Sequence, residues 1–156
     1  MSQNVDPESF GFLVTDLARL VRAEFDRRVA EAGLGVTPGE ARVLAHAARA
    51  GMVRQNVLAE RIGVEAMTVT GFLDRLEAKQ LVRRVADPTD RRAKLVQVTE
   101  TAGEVLGKIK ALALDTRLVA SGGIGGRDWE RFMTLLRAAR DNLAESRAGG
   151  QQSSAA

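Results

Sequence analysis

The chain has 156 residues, a length typical of one domain, with 45% hydrophobic and 28% charged residues and a formal net charge of +3. It contains no cysteine, which excludes disulfides, thiolate metal ligands and thiol redox sensing. It has no basic-then-apolar signal peptide pattern and no apolar run near the ~20 residues that cross a bilayer, so a cytoplasmic protein without a membrane partner is predicted.

The first predicted element is a long helix over residues 9–32. Its apolar residues recur at the three-and-four spacing of one helix face, and Gly33 follows its end. The next segment, Thr37-Pro38-Gly39-Glu40, is a capping box with proline at the first helical position. It predicts a second helix from Pro38 to about Ala50.

Two short helices then follow in close succession, over residues 55–62 and 66–79. The tight segment Gly63-Val64-Glu65 joins them. Two short helices joined by a three- or four-residue turn containing glycine are the pattern of a helix-turn-helix.

The apolar period then changes from 3.6 to 2, which predicts strands over residues 81–86 and 94–98. The segment between them, residues 87–92, has the composition of a loop. Basic residues are concentrated over residues 83–94, which contain five of them and two acidic residues, Asp87 and Asp90. The five basic residues are Arg83, Arg84, Arg91, Arg92 and Lys94.

Two more amphipathic helices are predicted towards the C-terminus, over residues 102–120 and 128–146, separated by a glycine-rich break. Thr101 with Glu104 offers a second capping box at the start of the first. We interpret residues 1–147 as one domain, and the Gln, Ser, Gly and Ala composition of residues 148–156 predicts a disordered tail.

This order of elements predicts a mainly α fold. Residues 37–99 read as a winged helix-turn-helix lobe. The flanking amphipathic helices over residues 9–32 and 102–146 must bury their apolar faces, and we expect them to form a homodimer. Two-fold symmetry would then place paired recognition helices about one DNA turn apart, ~34 Å.

Residues 37–99 resemble the MarR family (multiple antibiotic resistance regulators). The resemblance is carried by Gln55-x-x-Leu58-Ala59-Glu60-Arg61-Ile62-Gly63, by Thr68-Val69-Thr70, and most specifically by Asp87-Pro88-Thr89-Asp90-Arg91-Arg92-Ala93-Lys94. The flanking helices match by position and amphipathicity only. The resemblance implies a dimeric, often ligand-responsive transcriptional regulator.

Three positions depart from the family pattern. Gly71 stands where the family often has a basic residue, which removes one expected DNA contact. Gln80 stands where glycine is usual and is expected to adopt a positive φ. Arg54 replaces the usual serine or threonine cap, so the helix that starts at Gln55 is less well capped.

Arg91 and Arg92 at the wing tip have two interpretations. They can lie in a solvated turn, paired with Asp90, or one of them can enter the minor groove, whose negative potential attracts arginine. The resemblance favours the groove and implies that Arg92 is the inserted residue. It further implies that Asp90 orients the Arg92 guanidinium through a charge-assisted bond.

Further DNA contacts are expected on the recognition helix, at the start of the helix before it and on the wing strands. Thr68, Thr70 and Arg75 lie on the free face of the recognition helix, although Arg75 could instead pair with Asp74, Asp87 or Asp90. Arg54 and Gln55 are candidates for a phosphate contact or are ordinary surface. Phosphate contacts are also expected from Lys94 and from whichever of Arg83 and Arg84 faces the DNA.

The leading functional hypothesis is a dimeric transcriptional regulator whose partner is a pseudo-palindromic operator in double-stranded DNA. In this hypothesis the protein is a repressor that a small organic effector releases from DNA. The alternative is a winged-helix module that binds another protein. No enzyme, cofactor or metal site is predicted, because the single histidine, His46, lacks partners at catalytic or metal-ligand spacing. His46 and Phe25 are weak candidates for an effector pocket.

Overall fold

The computed structural model describes the backbone of residues 6–153 and the side chains of residues 6–148. Six α-helices, three strands and one 3-10 turn follow one another in this part of the chain. They are α1 (Phe10–Ala32), α2 (Pro38–Ala50), β1 (Met52–Arg54), α3 (Gln55–Ile62), α4 (Ala66–Ala78), β2 (Val82–Asp87), β3 (Asp90–Val98), a 3-10 turn (Glu100–Ala102), α5 (Gly103–Ala120) and α6 (Gly126–Ser153). The mainly α prediction with a winged helix-turn-helix lobe is confirmed.

The chain divides into two compact units, and the division falls within α5 after Thr116. The first unit contains α1 to α4, the sheet and most of α5. The second contains the end of α5 and α6.

The core of the first unit is built mainly from α2, α3, α4 and the base of the sheet. Helix α2 supplies its centre, where Val43, Leu44 and Ala47 have no exposed surface. Around them pack fully or nearly fully buried side chains of the neighbouring elements, namely Leu58, Ile62, Val69, Leu73, Leu76, Val82 and Val96. Because α3 and α4 both contribute to one core, the helix-turn-helix is held as a rigid pair.

Local signals set the boundaries of α2 and α3. The Thr37 hydroxyl accepts a hydrogen bond from the Glu40 amide at 3.3 Å, and the Glu40 carboxylate accepts one from the Thr37 amide at 3.1 Å. This is the predicted capping box. Helix α3 ends at Gly63, which adopts the left-handed conformation with φ 71°.

Gly39 allows α2 and α4 to approach closely. A Cβ atom at this position would lie 2.3 Å from Cζ of the Phe72 ring, well inside van der Waals contact. We therefore expect Gly39→Ala to push Phe72 out of its site and to lower the free energy of unfolding by about 1–2 kcal/mol, as overpacking of a dense core does. Urea unfolding would measure this loss. Gly107→Ala, on a helix position with open space around its Cβ, is the control and should not destabilise the protein.

The wing is a three-stranded antiparallel sheet in the order β1-β3-β2. The sequence did not predict β1, a three-residue strand whose Met52, Val53 and Arg54 pair with residues 95–97 of β3. The predicted loop over residues 87–92 is shorter in the structure. Asp87 pairs with Asp90, which leaves only Pro88 and Thr89 in the turn and places both wing-tip arginines within β3.

Three further predictions concern the backbone of Gln80, the cap of α5 and the C-terminal segment. Gln80 has φ 59°, which confirms its predicted positive φ. Thr101 does not cap α5, because it lies inside the 3-10 turn that precedes that helix. Helix α6 continues to Ser153, past its predicted end at residue 146 and into the segment predicted as a disordered tail. Residues 154–156 of that predicted tail lie outside the described residues.

Many large apolar side chains of α1, α5 and α6 are exposed. In α1 they are Phe10, Phe12, Leu13, Val14, Leu17, Leu20 and Val21, and in the second unit they include Leu118, Leu135 and Leu143. Such side chains at helical spacing form apolar faces that this single chain leaves in contact with solvent. Within the described residues, no helix has the length and apolarity needed to span a membrane.

Candidate nucleic-acid interface

The N-terminal half of α4 is the exposed part of the helix-turn-helix. Its buried residues Val69, Leu73 and Leu76 face the core, while Met67 and Thr68 lie on the opposite, exposed side. A recognition helix contacts bases through its N-terminal residues, so this exposed turn has the right position for the major groove.

Gln55 and Thr70 join the two helices of the motif. The Gln55 side-chain amide donates to the Thr70 hydroxyl at 2.6 Å, and that hydroxyl donates to the carbonyl of Ala66 at 3.0 Å. Both residues are predicted DNA contacts, yet both use hydrogen-bonding groups within the chain. The bonds fix the start of α3 against the first turn of α4.

Arg54 connects the start of α3 to the wing. Its Nε donates to the buried carboxylate of Asp87 at 2.6 Å, and its Nη2 donates to the Thr89 hydroxyl at 3.1 Å. Hydrogen bonds from the Thr89 hydroxyl and backbone amide, with a smaller contribution from Arg54, lower the pKa of Asp87 to about 2. Asp87 is therefore ionised at neutral pH, and its pair with Arg54 holds the hairpin turn to the helix-turn-helix.

The two wing-tip arginines differ in their relation to the cleft beside the wing. Strand β3 is irregular here, because its register against β2 passes from the pair Asp87–Asp90 directly to the pair Ala86–Lys94. Arg92 lines the cleft together with Asp90, Ala93 and Lys94, whereas Arg91 is not among the residues that line it. The Asp90 carboxylate accepts a hydrogen bond from the backbone amide of Arg92 at 3.0 Å. Asp90 thus orients Arg92 through its main chain, and not through the guanidinium as the resemblance implied.

This cleft, of about 390 Å³, separates the wing from the helix-turn-helix. The residues that line it are Arg54, Gln55, Asn56, Ala66, Asp90, Arg92, Ala93 and Lys94. Of its three cationic side chains, Arg54 is paired with Asp87, whereas Arg92 and Lys94 are exposed. The cleft is therefore a cationic recess between the starts of two helices and the wing.

Arg75 and Lys79 meet at a buried acid that the sequence did not suggest as a partner. Glu40 of α2 is 1% exposed, and its carboxylate accepts hydrogen bonds from Arg75 Nε at 2.6 Å and from Lys79 Nζ at 2.7 Å. The predicted alternatives for Arg75 were Asp74, Asp87 and Asp90, and all three are wrong. Burial raises the pKa of Glu40, but the bonds from Lys79 and Arg75 outweigh it and hold the pKa below its usual range.

Arg83 and Arg84 point to opposite faces of β2, as the strand prediction required. Arg84 lies between β2 and α4, where its guanidinium bonds to Glu77 at 2.7 Å and to Asp74 at 2.6 Å. The hydrogen bonds that the Arg84 side chain and backbone amide donate to Glu77 lower the pKa of that carboxyl. Arg83 bonds to the side-chain carbonyl of Gln97 at 2.7 Å. Both candidates for the phosphate contact thus form hydrogen bonds within the chain.

The cations of the helix-turn-helix and wing fall into two groups. Five of them bond to acceptors of the chain, namely Arg54, Arg75, Lys79, Arg83 and Arg84. Arg91, Arg92 and Lys94 are exposed, and among the described side chains their charged groups form no ion pair within 4 Å. Arg83, whose partner Gln97 is neutral, and the exposed Arg61 of α3 also carry unneutralised charge, so β3 holds three of the five such cations among the described residues of this region.

The two weak candidates for an effector pocket lie apart from the wing. Phe25 of α1 is half-buried against the core, and His46 of α2 is half-buried. Burial lowers the pKa of His46, and the positive charges of nearby arginines lower it further, so His46 is neutral at pH 7. Among the residues that the structure describes, no group of three or more His, Asp or Glu side chains could hold a metal ion.

Three residues of this region escaped the sequence prediction. Met67 was omitted because methionine has no hydrogen-bonding role, and Asn56 because nothing in the sequence places it in a cleft. Glu40 was recognised only as a cap, since its bonds to Arg75 and Lys79 join residues more than 30 positions apart.

The comparisons agree with this architecture. The MarR family model matches residues 36–94, from the start of α2 to the middle of β3. The solved structure of the transcriptional regulator PA3341 is 36% identical, with a TM-score of 0.71 over 88% of this chain and 99% of that chain. A MarR-family regulator from Rhodococcus sp. RHA1 is 25% identical, with a TM-score of 0.68 over 90% of this chain and 94% of that one.

Apo MarR from E. coli has the same fold, with a TM-score of 0.71 over 86% of this chain and 98% of that chain. At 20% identity this likeness shows the fold only. The family model covers the helix-turn-helix and the wing tip, and the 36% identity to a regulator extends over nearly the whole of that relative. This chain therefore belongs to the MarR family and has the fold of its transcriptional regulators.

Proposed function

We propose that this protein binds double-stranded DNA as a homodimer and regulates transcription. The observation that carries the proposal is the distribution of charge on the wing. Arg91, Arg92 and Lys94 are exposed and unneutralised on β3, whereas neighbouring cations bond to acceptors of the chain. Exposed arginine and lysine on a projecting hairpin are suited to the phosphates and the minor groove of DNA.

In this proposal each element has a separate task. The exposed first turns of α4 enter the major groove, and Arg92 at the wing enters the adjacent minor groove. The cationic cleft between them receives a phosphate, for which Lys94 supplies charge and Asn56 at the first turn of α3 supplies polar groups. Arg54, Gln55 and Thr70 position these elements through their internal bonds.

The dimer is supported by the exposed apolar faces of α1 and α6. Seven large apolar side chains of α1 are 39–63% exposed, an arrangement that a second copy of the chain would cover. A two-fold dimer would require a pseudo-palindromic operator whose half-sites lie about one turn apart, ~34 Å.

The regulation we propose is repression in the cytoplasm, released by a small organic effector that favours a second dimer arrangement. This part of the proposal rests on the resemblance to the family, which implies a regulator that often responds to a ligand. An effector could act only through different affinities for the DNA-competent and released arrangements. Phe25 and His46 are the first positions to vary in a search for its site.

A salt titration tests DNA binding against the alternative of a protein-interaction module. Duplexes selected by the protein from a random pool would be titrated by fluorescence anisotropy, beside scrambled duplexes of equal length. A dimer with ~6–10 phosphate contacts should lose ~10³–10⁵ in affinity between 50 and 200 mM salt. Failure to enrich any duplex, or weak binding that does not change with salt, would contradict the proposal and favour the protein-interaction module.

A further inference from the structure

Met67 is the most exposed large apolar side chain of the described residues, at 85% exposure. It is the second residue of α4 and lies opposite the buried Val69 and Leu73. A methionine so placed contributes almost nothing to the core, because its thioether and methyl groups remain in water. Its exposed position on the recognition helix is therefore explained best by contact with a molecule outside the chain.

The surface around Met67 is poor in free hydrogen-bonding groups. One turn further along, Gly71 has no side chain, and the nearest atom to a Cβ built there is Nη1 of Arg75 at 3.6 Å. The hydroxyl of Thr70 and the amide of Gln55 are bonded to each other. Of the exposed polar neighbours in the chain, Thr68 carries a methyl group beside its hydroxyl, and Glu65 carries a carboxylate, which donates no hydrogen bond.

Arg75, the one arginine of α4, is fixed at the other end of the exposed face. Its Nε is bound to Glu40 and its guanidinium lies 5.2 Å from the centre of the Phe72 ring. Guanine recognition uses two donors of a freely placed guanidinium. The first turn of α4 therefore presents apolar groups where a reader of guanine or adenine would present arginine, asparagine or glutamine.

The base edge that complements an apolar contact in the major groove is the C5-methyl group of thymine. Methionine is suited to this contact, because its flexible, polarisable side chain adapts to an irregular surface. Ala66, next to Met67 in the chain, lines the same cleft as Arg92 and Lys94, so Met67 lies beside a cationic surface that complements DNA. An apolar partner protein would gain nothing from those charges.

We infer that Met67 is a specificity-determining residue that recognises thymine methyl groups in the operator by van der Waals contact. The inference rests on the proposed function and adds the chemical class of base that α4 reads. It predicts that discrimination at the centre of each half-site depends on a methyl group and not on hydrogen bonds.

The test uses the full chain and a duplex that it enriches from a random pool. Each thymidine of the duplex is replaced in turn by 2′-deoxyuridine, which removes only the C5-methyl group. At one or two positions in each half-site we expect about fourfold weaker binding, which corresponds to ~0.8 kcal/mol for one buried methyl group. In Met67→Ala the thymidine and deoxyuridine duplexes should bind equally well.

Met52→Ala is the matched control, because it removes a half-exposed methionine from β1 and should keep the full preference for thymidine. Thermal unfolding should be unchanged in Met67→Ala, since the side chain is 85% exposed. An enriched duplex that binds equally well in all its deoxyuridine forms would overturn the inference and leave the proposed function intact. So would a Met67→Ala variant that keeps the preference for thymidine. A pool in which nothing is enriched would overturn the proposed function itself, and the inference with it.

Discussion

Arg92→Ala should weaken binding of the selected duplex by about 30-fold to more than 10⁴-fold at ~150 mM salt. A specific arginine contact is worth ~1–3 kcal/mol, and a dimer loses two of them, ~2–6 kcal/mol in all. The loss should come from the minor groove, because Arg92 borders the cleft together with Lys94. Fluorescence anisotropy would measure the affinity, and sedimentation would verify that the dimer is intact.

Arg91→Ala is the control for this experiment. It removes the same charge from the adjacent residue, but the Arg91 side chain does not line the cleft that Arg92 borders. We expect it to lower affinity by no more than about tenfold, through the loss of general attraction to phosphates. Equal losses in the two variants would show that the wing supplies charge without a specific contact, and would contradict the role of Arg92.

Glu40→Ala should lower the free energy of unfolding by about 2–3 kcal/mol and the melting temperature by roughly 5–10 °C. The substitution removes half of the capping box of α2 and the shared acceptor of Arg75 and Lys79. We assign only ~0.5–1 kcal/mol to each ion pair, because the two cations are 53% and 38% exposed and regain water when the acid is lost. Hydrogen exchange should accelerate in the last turn of α4.

Two variants separate the contributions of Glu40. Glu40→Gln keeps the shape and the cap but removes the charge, so it should lose about half as much stability. Glu104→Ala breaks an exposed pair with Lys108 and should change the free energy of unfolding by less than ~0.5 kcal/mol. An unchanged melting temperature in Glu40→Ala would contradict the role of this acid in holding α2 to α4.

Much of the fold could be predicted because its signals are local. The bounds of α2 and α3 agree with the structure to the residue, since a capping box starts the first and a left-handed glycine ends the second. The positive φ of Gln80 was expected from the resemblance, because the family usually has glycine at this position. Strand β1 escaped prediction because three residues are too few to show an alternating pattern and the strand forms by pairing with β3.

The candidate site could be predicted in outline but not in its internal bonds. Sequence shows that the wing carries many cations, yet it cannot show which of them are neutralised. Arg54 bonds to Asp87 across 33 positions, and Arg75 bonds to Glu40 across 35. These pairings depend on how distant elements pack, so the separation of positioning residues from free cations required the three-dimensional structure.

The strand order of the sheet determines how the wing behaves as a mechanical element. Strand β3 is held on both sides only over residues 95–97, where β1 and β2 flank it. Towards the tip it pairs with β2 alone, at Lys94 and at Asp90, with an irregularity between these two pairs. The hairpin is therefore a cantilever that is clamped at its base and overhangs at its tip, with the Arg54 bonds to Asp87 and Thr89 as a single strut. Such a beam bends most at its end, where Arg92 lies. In the proposed complex with DNA, the tip would follow variations in groove width while the base keeps the recognition helix in register.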